Sequence, residues 1–185
     1  MSEKGESKRQ SNFFDVCSKC KTNYDCCHGT RPPVTGNRRR IIEEYLKKEG
    51  IPIVDAFVEE EYVFPRENEE GYCVFHDMKK RKCKIHTVKP ETCVAGPITF
   101  DINRKTGKIE WFVKMSQLCS LAGIVYDKKD LLRQHLESAK KEVSRLVQEL
   151  SSEALIAVLK KDEPETFKIS EDSIAKSVLD KLVHY

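Results

Sequence analysis

Four of the eight cysteines in this chain lie within one stretch of eleven residues, Cys17, Cys20, Cys26 and Cys27. A Cys-x-x-Cys pair places two sulfurs on one tight turn, where two thiolates can bind the same ion. The adjacent pair Cys26 and Cys27 adds two more sulfur donors without adding chain length. This density of thiols predicts a metal site.

The other four cysteines are spread over the middle of the chain, at Cys73, Cys83, Cys93 and Cys119. Four donors close together and four distant ones are typical of a loop that folds over a site and is clamped by the body of a domain. The elements between the cysteines must therefore bring distant segments together.

The chain has 185 residues and a hydrophobic content of 39%, which suits one domain with an appendage and a modest core. No apolar run approaches the roughly 18 residues that span a bilayer, and residues 1–10 lack the apolar segment of a secretory signal. We therefore expect a cytoplasmic protein without membrane contact. Because thiols stay reduced there, the cysteines are expected to be ligands, and four disulfides in a secreted protein are the alternative.

Charge is nearly balanced overall but locally segregated. The net charge of +3 provides no strongly basic field for non-specific binding of nucleic acid, so a nucleic-acid partner is not expected. An acidic run at residues 59–61 precedes Cys73, and a basic run at residues 79–82 precedes Cys83. Such runs are typical of solvated loops. A docking patch for an unidentified acidic protein partner is the alternative.

Hydrophobic periodicity predicts the elements around the cysteines. A first helix is expected over residues 36–49, and a short second helix is expected to include Val54, Phe57 and Val58. Residues 89–93, Lys-Pro-Glu-Thr-Cys, predict the first turn of another helix, where the positive end of the helix dipole would favour the Cys93 thiolate.

Residues 73–86 change to a period of two, which predicts an antiparallel hairpin closed by a basic tip. In this hairpin we expect Cys73 and Cys83 to point inward on one face. His76 and His86 would then occupy the opposite face, which argues against either histidine as a ligand in the same site.

The remainder predicts a second hairpin over residues 97–113 and a helical C-terminal region. Helices are expected from an Asp127 and Asp130 capping pair toward residue 161, with a break at Ser151, and again from Ser170. The predicted fold class is α+β: a small cysteine-rich domain with two hairpins and helices, followed by helices. The predicted domains are a disordered segment 1–12, the cysteine-cluster domain 13–125, and a helical region 126–185 that packs on it.

Four segments together resemble the YkgJ-type cysteine-cluster family, described as zinc- or iron-chelating proteins. They are Cys17-x2-Cys20-x5-Cys26-Cys27, Cys73-Val-Phe, Cys83-Lys-Ile-His and Lys89-Pro-Glu-Thr-Cys93, and the resemblance extends to Pro97. It implies metal binding without implying a reaction. The family order and the shared face of Cys73 and Cys83 together predict seven ligands: Cys17, Cys20, Cys26, Cys27, Cys73, Cys83 and Cys93.

Two histidines and one cysteine are judged differently. The position of His86 is commonly tyrosine in the family, so His86 is interpreted as structural. His28, beside Cys27, stays open as a ligand, and Cys119 lies beyond the resemblance and stays open too.

The resemblance leaves the cofactor and the reaction undecided. Thiolates suit both zinc and an iron-sulfur cluster. We favour the cluster, because the diverging side chains of Cys26 and Cys27 are awkward for one tetrahedral zinc. A similar cluster in the bacterial flagellin lysine methylase makes a protein-methylating component one alternative, although no methyl-donor fingerprint is present. A thiol redox catalyst and a zinc-dependent nucleic-acid module, which lacks its second half, are the others.

Overall fold

The computed structural model describes residues 26–161 and 165–183, so Cys17, Cys20 and the segment 1–12 lie outside the described residues. The helices are α1 (Gly36–Lys48), α2 (Glu91–Ala95), α3 (Ser120–Tyr126), α4 (Lys129–Glu149), α5 (Ser152–Leu159) and α6 (Lys176–Asp180). The strands are β1 (Phe57–Glu59), β2 (Val63–Pro65), β3 (His76–Asp77), β4 (Lys82–Cys83), β5 (Ile98–Asn103), β6 (Lys108–Lys114) and β7 (Thr166–Ser173). The α+β class and the largely helical C-terminal region are confirmed.

The larger core lies between an antiparallel sheet and α4. The sheet has the strand order β5-β6-β7, and Ile98 pairs with Val113 in the predicted hairpin. Trp111 of β6 is buried in the same apolar cluster as Val143 and Leu146 of α4. The apolar residues of α4 recur at steps of three and four, so one face of the helix covers the sheet.

The break between α4 and α5 falls where the sequence predicts it. The hydroxyl of Ser151 accepts a hydrogen bond from the amide of Ala154 and caps the N-terminus of α5. The expected capping pair at the start of α4 is wrong. Asp127 instead follows α3, and α4 begins after Lys128 without a side-chain cap.

Two predicted helices are strands. The helix expected over residues 54–58 is wrong, because β1 pairs with β2 in a short antiparallel ladder that satisfies its backbone groups. The helix expected from Ser170 is wrong in its first part, because residues around it form β7 and pair with β6. The last helix is confined to Lys176–Asp180.

A smaller core lies under the cysteine segments and is called here the second core. Its buried residues are Val34, Ile42, Leu46, Ala56, Phe75 and Ile85. The predicted first helix, α1, contributes two of these, and the hydroxyl of Thr35 accepts a hydrogen bond from the Arg38 amide at its N-terminus. Cys73 and Cys83 pack against this core. Among the described residues, no helix has both the length and the apolar composition that a membrane crossing requires.

Candidate metal centre

A short backbone ladder joins the N-terminal cysteines to Cys73. The amide of Cys73 donates to the carbonyl of Cys27 at 2.7 Å, and the amide of Gly29 donates to the carbonyl of Gly71 at 3.0 Å. His28 and Tyr72 lie opposite each other between these bonds. Because neighbouring residues alternate faces, Cys27 and Cys73 lie side by side on one face.

The other edge of the Cys73 segment pairs with Glu67. The bridge between Glu67 and Cys73 is flanked by hydrogen bonds from Asn68 to Tyr72 and from Val74 to Arg66, each 2.8 Å long. Pairs of this kind bring opposing side chains closest together. Cys73 is therefore the middle member of a row that also contains Cys27 and Glu67.

The hairpin that contains Cys83 is shorter than predicted, and the predicted sidedness is wrong. The ladder has only two pairs, His76 with Cys83 and Asp77 with Lys82. Residues directly opposite in an antiparallel pair share a face, so His76 lies on the same face as Cys83. Phe75 and Ile85 are buried as expected, because the chain turns on either side of the ladder.

Cys93 lies in α2, which is held at both ends. At its start, the Thr35 hydroxyl donates to Glu91 Oε1 at 2.6 Å, and Arg38 Nε lies 3.8 Å from the same oxygen. At its end, His135 Nε2 donates to the carbonyls of residues 95 and 96, at 3.1 and 3.0 Å. These contacts from α1 and α4 fix the helix that contains the Cys93 thiol.

The thiols of five cysteines act on one another. The pKa of Cys27 is raised by a hydrogen bond with Cys26, by burial, and by the charges of Cys26, Cys93 and Cys83. The pKa of Cys93 is raised by burial and by Cys83, Cys73 and Cys26. Burial, with Cys83 and Glu67 acting in the same sense, raises the pKa of Cys73 to about 12. Five predicted ligands therefore form one electrostatic group.

The expected activation of Cys93 by the helix dipole is wrong. Burial raises the pKa of this thiol, and the nearby positive charge of Lys89 opposes the change without cancelling it. The helix has only five residues, so its dipole is small. In the absence of a metal, the group therefore retains its protons near neutral pH, and a bound cation would have to displace them.

The donor set fits a thiolate-bound metal, although the described residues alone do not close a site. None of the six cysteines in the described ranges forms a disulfide. No three His, Cys, Asp or Glu side chains within residues 26–161 and 165–183 converge on a position for an ion. Two buried polar atoms, His76 Nδ1 and Glu67 Oε1, have no hydrogen-bond partner in this part of the chain. A complete ligand set requires further donors, and Cys17 and Cys20 remain predicted for that role.

The other candidate residues lie at the margin of the group. His28 Nε2 lies 3.0 Å from the carbonyl oxygen of Glu70, and its ring contacts Tyr72. Burial, together with the charge of Lys89, lowers the pKa of His86 to about 4, so this imidazole is neutral at pH 7. Cys119 directly precedes α3.

Three positions were missed by reading the sequence. Nothing in the periodicity pairs residue 27 with residue 73 or places Glu67 beside Cys73. The buried Glu91 was interpreted only as a favourable residue in a first helical turn. His76 was excluded by the wrong sidedness, although counting back from the two ends of the tip would have placed it opposite Cys83.

A comparison with protein families gives one match, over residues 16–120, to the CxxCxxCC model, described as "Putative zinc- or iron-chelating domain". The chain belongs to this CxxCxxCC family. The match covers more than half of the chain and extends past Pro97, so all eight cysteines lie inside it. A search of curated proteins and a search of solved structures found no match. Membership in the CxxCxxCC family indicates a zinc- or iron-chelating function.

Proposed function

We propose that this protein holds an iron-sulfur cluster through its cysteine thiolates and uses it for electron transfer. The observation that supports the proposal is the mutual action of the thiols of Cys26, Cys27, Cys73, Cys83 and Cys93. Their segments are far apart in the chain, and a fold has no need to gather repelling thiols unless a cation neutralises them. When bound, such a cluster would supply reversible one-electron chemistry.

The choice between cluster and zinc depends on the number and arrangement of donors. One structural zinc is closed by four ligands, and the predicted set has seven thiols. Cys26 and Cys27 are adjacent, so their side chains diverge and cannot easily complete one tetrahedron. Both features favour a cluster. A zinc centre is the second candidate because the family description includes zinc, and metal handling would then replace electron transfer.

The surrounding residues have three tasks in this proposal. Burial against the second core excludes water from Cys73 and Cys83. The charge of Lys89 opposes the repulsion among thiolates, since it acts on both Cys83 and Cys93. The hydrogen bonds from Thr35 and His135 hold the helix of Cys93 in place.

The ligand assignment predicts which cysteines the metal requires. In Cys73→Ser and Cys83→Ser, prepared without oxygen, metal affinity should fall at least about 100-fold, since even removal of groups that only support ligands costs about 10- to 100-fold. Competition with a chelator measures this affinity. Cys119→Ser is the matched control, and it should retain the metal of the unaltered protein. Full metal retention in both Cys73→Ser and Cys83→Ser would show that these two thiols are not ligands.

A further inference from the structure

His76 lies beside a predicted ligand. It is opposite Cys83 in the ladder of β3 and β4, and the amide of Lys84 donates to the carbonyl of Phe75 at 2.8 Å next to this pair. The pair thus occupies the position of a ladder where opposing side chains approach most closely, with β-carbons about 5 Å apart. An imidazole Nδ1 and a cysteine sulfur on such carbons can reach each other.

The ring of His76 is oriented by its neighbours. It stacks on Tyr72 with ring centres 5.3 Å apart and an angle of 27° between the planes. The Tyr72 ring also contacts His28, at 4.9 Å between centres. These contacts restrict the imidazole on the side of the thiols, so its position is set by packing.

Nδ1 of His76 is buried and has no hydrogen-bond partner among the described residues. A buried nitrogen without a partner costs free energy, and native proteins rarely leave one unpaired. A partner that forms only when a metal binds would explain this atom. The neighbouring Cys83 becomes such a partner when it loses its proton, because a thiolate is a strong acceptor.

A thiolate-rich centre also needs compensation for its negative charge. Lys89 supplies one positive charge near Cys83 and Cys93. Hydrogen bonds to metal-bound sulfur are the other usual source, and they tune both the metal and its ligands. Seven predicted sulfur ligands leave no need for a nitrogen ligand, so donation to sulfur suits His76 better than binding the metal.

We propose that His76 donates a hydrogen bond from Nδ1 to the Cys83 sulfur when Cys83 binds the metal as a thiolate. His76 is then a positioning residue that acts through Cys83, and the inference rests on the proposed metal centre. The hydrogen bond lowers the reactivity of the sulfur and slows release of the metal.

Two variants of His76 separate the hydrogen bond from the ring stacking. His76→Phe keeps a ring against Tyr72 but removes the donor. His76→Asn loses the ring but keeps an amide donor near the position of Nδ1. His86→Tyr is the control, since tyrosine is common at that position in the family. The zinc-loaded proteins are compared by their reaction rate with iodoacetamide and by their rate of metal loss to a chelator.

Both rates should rise about tenfold or more in His76→Phe, as expected for loss of a hydrogen bond to a charged group. They should stay close to those of the unaltered protein in His76→Asn and His86→Tyr. Unchanged rates in His76→Phe would overturn the proposal, and equal increases in both His76 variants would assign the effect to stacking instead. Metal content is measured first, because an unaltered chain that binds no zinc or iron would overturn the proposed function as well.

A measurement on the unaltered protein covers the case in which His76→Phe does not fold. In a ¹⁵N-histidine spectrum of the zinc-loaded protein, Nδ1 of His76 should be protonated and its proton should exchange slowly. The opposite tautomer, with the proton on Nε2 and a bare Nδ1, would overturn the hydrogen bond to Cys83.

Discussion

Removing the metal should lower the melting temperature substantially and loosen the cysteine segments before the sheet. The ligands come from separate segments that the unfolded chain does not hold together, so the free energy of metal binding contributes directly to folding. Thiolate-bound zinc contributes about 10 kcal/mol or more in small domains. Calorimetry with and without a chelator tests the prediction. Hydrogen exchange should show the loss in the second core and little change around Trp111 and α4, and equal melting with and without metal would contradict a structural role.

The same experiment at several pH values should show slopes of opposite sign. In the metal-free protein the pKa of Cys73 rises from 9.0 to about 12 on folding. Its stabilising contribution is therefore complete below pH 9 and is lost as the pH rises toward 12. In the metal-bound protein the ligands are thiolates, so stability is lost as the pH falls and protons compete with the metal. A metal-free protein that gains stability above pH 9 would contradict the raised pKa values.

Replacing Arg38 by methionine should destabilise the protein by about 3–5 kcal/mol, the usual cost of leaving a buried charge without its partner. Arg38 is 9% exposed and Glu91 is fully buried, with a side-chain exposure of 0%. Arg38 also pairs with Glu142 of α4, so one guanidinium joins α1, α2 and α4. Burial already raises the pKa of Glu91 against the influence of Thr35 and Arg38. Denaturant unfolding of Arg38→Met measures the loss.

Arg39→Met is the matched control for this prediction. Arg39 follows Arg38 in the same helix and pairs with Glu43 at 2.8 Å, but both of these side chains are largely exposed. An exposed pair contributes about 0–1 kcal/mol. If the two variants unfolded at the same denaturant concentration, the buried network would not support the helix that contains Cys93.

The sequence predicts those elements whose pattern is long and regular. Helix α1 and the hairpin of β5 and β6 were predicted because several apolar residues repeat with one period and Gly50 or Gly107 ends the run. The strands β1 and β7 were missed. Their short apolar patterns fit a helix equally well, and the ladder partner that decides between the two lies elsewhere in the chain.

The ligand types were predictable, but their arrangement was not. Cysteine spacing indicates which residues bind a metal, since thiols at such density have few other uses in a reduced compartment. The pairing of Cys27 with Cys73 depends on backbone hydrogen bonds between segments 46 residues apart. The burial of Glu91 depends on Arg38 and Thr35 from another helix. Such contacts follow from tertiary packing rather than from any local period.

Iron and acid-labile sulfide content after strictly anaerobic purification tests the central claim most directly, together with the visible spectrum. We predict a brown protein that contains both elements in stoichiometric amounts, absorbs broadly in the visible, bleaches on reduction and decays in air. A colourless protein with stoichiometric zinc and with neither iron nor sulfide would contradict the iron-sulfur proposal, while leaving the cysteine ligands to be tested on the zinc form.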